Sequence, residues 1–132
     1  MKALESIRYD DSGLVPAVIQ DDATGQVLMV GYMNREAVER TLSTGRVTFW
    51  SRSRRKFWVK GETSGNVQRV RGMYVDCDQD CLLVRVDQEG PACHEGYRSC
   101  FFRQVADNGE ELRPCAQRLR TPEEMYGGAR GG

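Results

Sequence analysis

No one sign of charge predominates in this chain: 19 basic and 19 acidic side chains leave a formal net charge of zero. It therefore lacks the electrostatic footprint of a protein whose main partner is nucleic acid or an anionic membrane. A local basic patch over a phosphorylated small molecule remains compatible with that balance. Long apolar runs are missing too, and none approaches the roughly 20 residues that cross a bilayer. Residues 1–11 mix charged and apolar side chains without the apolar core of a secretory leader. Histidine occurs once, at His94, and no cysteine pair has the C-x2-C spacing of a zinc ribbon. There is no internal repeat and no domain linker. The expectation is a cytoplasmic protein, where cysteines serve as metal ligands or buried thiols rather than disulfides.

What is present is one domain's worth of patterned sequence. A chain of 132 residues buries roughly two thirds of its unfolded surface. A chain of zero net charge gains solubility by removing surface from water, which favours an oligomer. Residues 16–20 and 26–30 are β-rich runs around Asp21-Asp22-Ala23-Thr24-Gly25, a turn sequence, and predict a hairpin. Asn34 is placed to cap a helix with Ala37, Val38 and Leu42 on one face. Met33 and Val38 suit a hydrophobic staple, and Gly45 a left-handed stop. Residues 47–50, 57–60, 67–75, 82–86 and 100–105 read as strands, with a turn-rich loop at 61–66. The fold class expected is a β-rich α+β domain over residues 1–113: a small mixed or antiparallel sheet with one main helix. Residues 114–132 lack the apolar periodicity of a second domain and read as a tail, frayed at its glycine-rich end.

Five cysteines stand in the chain, three of them as Cys77-x15-Cys93-x6-Cys100. Thiolates bind zinc tightly, and three protein ligands leave a fourth position for water. Zinc brings the pKa of bound water down to about 7, although three electron-rich thiolates soften that effect. A general base nearby would help, and His94 is the candidate. Neighbouring side chains tend to diverge, so His94 suits the role of neighbour better than ligand. A structural site with His94 or Cys81 as fourth ligand is the competing reading. Cys81 and Cys115 read as ordinary buried thiols.

Asp76-Cys77-Asp78-Gln79-Asp80 is the second cluster. Along an extended strand its three carboxylates would span about 13 Å, too far for one ion with bonds near 2.1 Å. The segment must bend, as at a strand end, or waters and phosphates must complete the shell. Strand alternation would throw Cys77 away from the aspartates, so one segment could serve zinc on one side and magnesium on the other. An EF-hand is excluded, because Cys81 stands where the loop needs glycine and Asp87 where it needs glutamate. A solvated acidic turn is the plain alternative.

Ser51-Arg52-Ser53-Arg54-Arg55-Lys56 forms a basic segment ahead of Trp58-Val59-Lys60-Gly61-Glu62-Thr63-Ser64-Gly65. Arginine pairs bidentately with phosphate, and Gly and Ser loops offer backbone amides. A charged strand edge explains the same residues without a ligand. A zinc-stapled RNA-binding module, with Trp50 and Trp58 as stacking platforms, is the rival from another class. A deaminase-like enzyme acting on another purine nucleotide is a third, although the H-x-E plus P-C-x-x-C signature is missing.

Taken together, these motifs and Ala92-Cys93-His94-Glu95-Gly96-Tyr97-Arg98-Ser99-Cys100-Phe101 closely resemble the phosphoribosyl-AMP cyclohydrolases of histidine biosynthesis, from about Val27 to Arg103. The resemblance implies hydrolysis of the adenine N1–C6 bond of 1-(5-phosphoribosyl)-AMP to the formimino aminoimidazole carboxamide ribonucleotide. It implies zinc on Cys77, Cys93 and Cys100, magnesium on Asp76, Asp78 and Asp80, and proton transfer by His94. Arg52, Arg54, Lys60, Glu62 and Ser64 fall in the matched motifs as substrate-binding residues. It further implies an intertwined homodimer with one zinc and one magnesium per subunit, the zinc site built from both chains. Nucleic acid and membrane are not implied as partners. Some relatives carry a fused phosphoribosyl-ATP pyrophosphohydrolase domain, and at this length a single activity is expected. Glu95 and Cys81 depart from the family's usual pattern.

Overall fold

The computed structural model describes residues 1–127. Residues 128–132, most of the glycine-rich end expected to fray, lie outside the described residues. The first hairpin forms where turn chemistry predicts it. Strand β1 (Val15–Asp21) pairs antiparallel with β2 (Val27–Met33). Gly25 takes φ +80°, and its amide donates to the Asp21 carbonyl at 2.9 Å.

Helix α1 (Arg35–Thr44) begins and ends on the expected caps. The Asn34 Oδ1 accepts from the Ala37 amide at 2.8 Å, and Gly45 stops the helix at φ +73°. Met33 and Val38 are both fully buried, as a staple requires. One position differs. Leu42 is exposed, and Thr41 takes the buried place beside Ala37 and Val38. The Thr41 hydroxyl donates to the Ala37 carbonyl at 2.8 Å and accepts from the Thr48 amide at 3.0 Å. A hydroxyl satisfies backbone groups at this junction that a leucine would leave unpaired, so the apolar side chain is the one turned outward.

The chain then forms β3 (Thr48–Ser51), β4 (Lys56–Val59), β5 (Gln68–Val75) and β6 (Leu82–Gln88). The main sheet has the order β2-β1-β6-β5, with β1 and β6 parallel and the other pairs antiparallel. β3 and β4 form a separate ribbon. The ribbon lies close to β2: a Cβ at Gly31 would overlap the fully buried Phe49 ring. Alternate residues of β1 and β6, among them Ala17, Ile19, Val84 and Val86, enter one core with Leu28, Val38 and Phe49. The observed fold is thus a small, mixed, β-rich domain with one main helix.

The strand expected over 100–105 is shorter, β7 (Arg103–Val105), paired with β8 (Leu112–Pro114). It starts late because the Cys100 amide donates instead to the Leu28 carbonyl at 2.7 Å. Beyond Pro114 the chain folds back over the domain. The Cys115 amide donates to Phe102, and the Leu119 and Arg120 amides donate to Gly96. Cys115 is exposed and Cys81 half-buried, so neither is the core thiol expected. A final short helix, α2 (Pro122–Tyr126), carries a complete Thr121–Glu124 capping box and buries Met125.

Asp21 is the buried carboxylate among the described residues, 3% exposed. The Thr24 amide and hydroxyl donate to its Oδ2 at 2.9 and 2.6 Å, and Arg98 Nη2 donates to Oδ1 at 3.1 Å. The Thr24 bonds, against the opposing pull of burial and with help from Arg98, hold this carboxyl below its ordinary value of 3.8. A carboxyl lowered in the folded state stabilises the fold fully above its unfolded pKa and loses that contribution as pH falls through the folded value. Asp21→Asn should therefore cost about 1–3 kcal/mol near neutrality. In urea titrations the gap between wild type and variant should narrow below about pH 4. An equal gap at pH 7 and pH 3 would contradict this account.

Candidate active site

The segment from Ala92 to Cys100 is a closed loop. Its ends are tied by Ala92 N to Arg98 O at 3.0 Å and Cys93 N to Tyr97 O at 3.1 Å. Gly96 turns it at φ +94°. Arg98 fastens the loop to the buried Asp21 and to the carbonyls of Gln88 and Gly90. Ser99 fastens it to β2, its hydroxyl donating to the Val27 carbonyl at 2.7 Å. These ties bring the Cys93 and Cys100 thiols together. Burial first, and then the adjacent Cys93, push the Cys100 thiol up to about 12.

Lys60 reaches the same place from the end of β4. It is only 8% exposed, and burial lowers its pKa while the two thiols oppose that shift. A buried cation against two sulfur atoms, with no carboxylate in this trio, is a set that thiolates would balance. Zinc, which binds thiolates rather than thiols, fits these donors. His94 is exposed and shares a cleft of about 230 Å³ with Cys100, Lys60, Arg54, Trp58 and Tyr126. A second cleft of about 210 Å³ adjoins it, with Arg54, Trp58, Lys60 and Tyr126 as common walls. Glu62 and Ser64 line this second cleft.

Not every predicted residue gathers here. Arg52 faces a different hollow, with Ser12, Asn34, Trp50 and Arg55, and its guanidinium lies 4.1 Å from the centre of the Tyr32 ring. Arg54 and Arg52 thus serve opposite sides of the β3–β4 ribbon. Cys77 is also elsewhere. It is exposed just before β6, whereas Arg98 holds the cysteine loop to the far end of that strand. The length of β6 separates them by roughly 20 Å. Within one chain Cys77 does not join Cys93 and Cys100.

The aspartates do gather. β5 ends at Val75, and the chain turns through residues 76–80, with Gln79 at φ +68°. Strand alternation therefore does not govern this segment. The ligand oxygens of Asp76, Asp78 and Asp80 lie within 4.8 Å of one another, the one such group of metal-ligand side chains among the described residues. The Asp80 and Cys81 amides both donate to Asp76 Oδ1, at 3.0 and 3.1 Å. Although slight burial raises it, these bonds prevail and hold the Asp76 carboxyl low. Burial and then the carboxylates of Asp78 and Asp76 push Asp80 up. Three exposed carboxylates repelling one another suit a hard divalent cation that keeps water or phosphate in its open positions.

Tyr126, at the end of α2, is the site residue that sequence reasoning passed over. Its signal was legible: Thr121-Pro122-Glu123-Glu124 is a helix start with proline at the first position and a capping box.

Comparison with known proteins agrees with this geometry. A family model described as phosphoribosyl-AMP cyclohydrolase matches residues 29–102, more than half of the 132. The phosphoribosyl-AMP cyclohydrolase of Pelotomaculum thermopropionicum is 56% identical over 124 residues, covering 94% of this chain and 95% of the relative. That of Dinoroseobacter shibae is 62% identical over 105 residues, covering 80% and 88%. That of Chlorobaculum parvum is 51% identical over 124 residues, covering 94% and 90%. With the cysteine loop, the aspartate turn and the basic residues of the clefts falling in matched sequence, the chain belongs to the phosphoribosyl-AMP cyclohydrolase family.

Proposed function

We propose that this protein hydrolyses the N1–C6 bond of the adenine ring in 1-(5-phosphoribosyl)-AMP, the third step of histidine biosynthesis, as a homodimer with zinc and magnesium. The observation that carries the reading is the meeting of Cys100, Lys60 and His94 at one cleft, with Cys93 beside Cys100, within a chain of this family. Zinc, when bound, supplies Lewis acidity and makes hydroxide available near neutral pH. The chain's own residues supply the rest. N1 already carries a ribosyl group, so the ring is cationic and C6 electrophilic. His94 accepts a proton as the oxygen of water bonds to C6, and returns it to N1 as the N1–C6 bond breaks. The hydroxyl left at C6 gives its remaining proton to solvent, so the oxygen remains as the carboxamide carbonyl, and N1 leaves as part of the formimino group. Lys60 offsets the charge of the thiolates. Arg54, Glu62 and Ser64 line the cleft where a ribose phosphate would sit, and Arg52 would serve the second phosphate from its own hollow. Magnesium on Asp76, Asp78 and Asp80 would meet a phosphate in the same way.

The separation of Cys77 from the other two thiols supports a zinc site completed by a second chain. So does the outer face of the sheet, where Val30, Val18, Leu83 and Tyr74 stand in register across all four strands. Val30 and Tyr74 are 44% and 53% exposed, an apolar row suited to an interface. Five free thiols support a reducing compartment, the cytoplasm, and no described helix is long and apolar enough to cross a membrane.

Ultraviolet absorbance of phosphoribosyl-AMP with the purified protein and both metals tests the reaction directly; a spectrum that never changes sinks it. Cys93→Ser should lose zinc and turnover together. His94→Ala should keep zinc and slow turnover at least ~10²-fold; loss of zinc instead would make His94 a ligand. For the shared site, Cys77→Ser and Cys93→Ser should each be inactive, while dimers refolded from a mixture recover activity through one intact site per heterodimer. Failure to recover would place all the ligands in one chain.

A further inference from the structure

The stretch after Pro114 lies beyond residues 29–102 that the family model matches, yet it ties two site loops together. The Gly96 carbonyl, at the tip of the cysteine loop, accepts from the Leu119 and Arg120 amides at 2.8 and 3.2 Å. No side chain fits at Gly96, because a Cβ there would collide with the Arg120 carbonyl. Arg118 lies over Tyr97 of the same loop, 5.2 Å from the ring centre. At the other side Met125 is buried against Asn66, whose Nδ2 lies 3.4 Å from its sulfur. Asn66 closes the loop that begins at Gly61 and carries Glu62 and Ser64. The next residue is Tyr126, half-buried, and it lines both clefts. Of the four walls common to the clefts, Arg54 and Lys60 are cationic, and Trp58 and Tyr126 are aromatic.

We infer that Tyr126 is a substrate-positioning residue, its ring forming with Trp58 the aromatic wall against which the purine lies. The inference rests on the cyclohydrolase reading. A purine has a polarised planar face, and an aromatic side chain offers it stacking without a hydrogen-bond pattern to match. Lys60 faces the thiols and Arg54 is left to a phosphate, so the aromatic pair is what the base can use. α2 is too short to hold itself; its anchors at Gly96 and Asn66 fix where the ring stands.

Steady-state kinetics with phosphoribosyl-AMP test the role. Tyr126→Ala and Tyr126→Leu should raise KM about 5-fold or more and leave kcat within about threefold, whereas Tyr126→Phe should match wild type in both. Phosphoribosyl-AMP itself, its purine ring intact, titrated calorimetrically into metal-stripped protein, should bind more weakly to the Ala and Leu variants by a similar factor. Melting temperatures serve as the control for folding, and Leu preserves bulk if Ala loosens the helix. A wild-type KM in the Ala and Leu variants, or a Phe variant as impaired as Ala, overturns the role of the ring. Absence of turnover by the wild-type chain overturns the cyclohydrolase reading instead, and this inference falls with it.

Discussion

Asp21 sits at the turn of the first hairpin and is almost wholly out of water. A lone carboxylate there would be strongly destabilising. Two bonds from Thr24 and one from Arg98 make it tolerable. The same contact decides where the cysteine loop lies, because Arg98 is the residue that reaches from that loop into the hairpin. Arg98 also donates to the carbonyls of Gln88 and Gly90, so one guanidinium joins the end of β6, the start of the loop and the turn of β1. The thiols of Cys93 and Cys100 inherit their position from this buried pair. A catalytic metal needs its ligands held to a fraction of an ångström, and this backbone-and-ion-pair frame positions the two thiols.

The two candidate metal groups occupy opposite ends of the sheet, and their chemistry differs accordingly. The sulfur pair is partly buried, next to a buried lysine and at the mouth of aromatic and basic clefts. The carboxylate group is exposed, in a turn, with amides from its own backbone directed at Asp76. Soft donors in a sheltered place and hard donors in an open one match zinc and magnesium in turn. The distance between them means that a site using Cys77 is a property of assembly. In the dimer we propose, the apolar row across the outer sheet face would supply the surface.

The segment beyond β8 alters the picture of the clefts. It is held by carbonyl acceptance at Gly96, a glycine whose positive φ and lack of Cβ are both needed there. Through that contact the cysteine loop receives neighbours from 23 and 24 residues further on. Tyr126 then closes the clefts from a direction that none of the strands supplies.

Much of this was readable from residue order. Turn chemistry at residues 21–25, the Asn34 cap and the Gly45 stop are local effects, decided by side chains within four residues of the backbone they satisfy, and sequence alone located them. The donor types of the cysteine and aspartate groups were equally plain. Helical periodicity places Leu42 on the buried face where Thr41 stands instead, because it allows both positions and only the Thr48 amide across the junction chooses the hydroxyl. The bend expected at residues 76–80 is present, since β5 ends at Val75 and the turn folds the carboxylates together, and the strand alternation expected to separate Cys77 from them does not apply there. The grouping of Cys93 with Cys100 and Lys60 but not Cys77, the division of Arg52 from Arg54, and the arrival of Tyr126 were decided by tertiary structure alone. Each depends on which strand edges meet and which buried charge must find a partner, and such contacts join residues tens of positions apart.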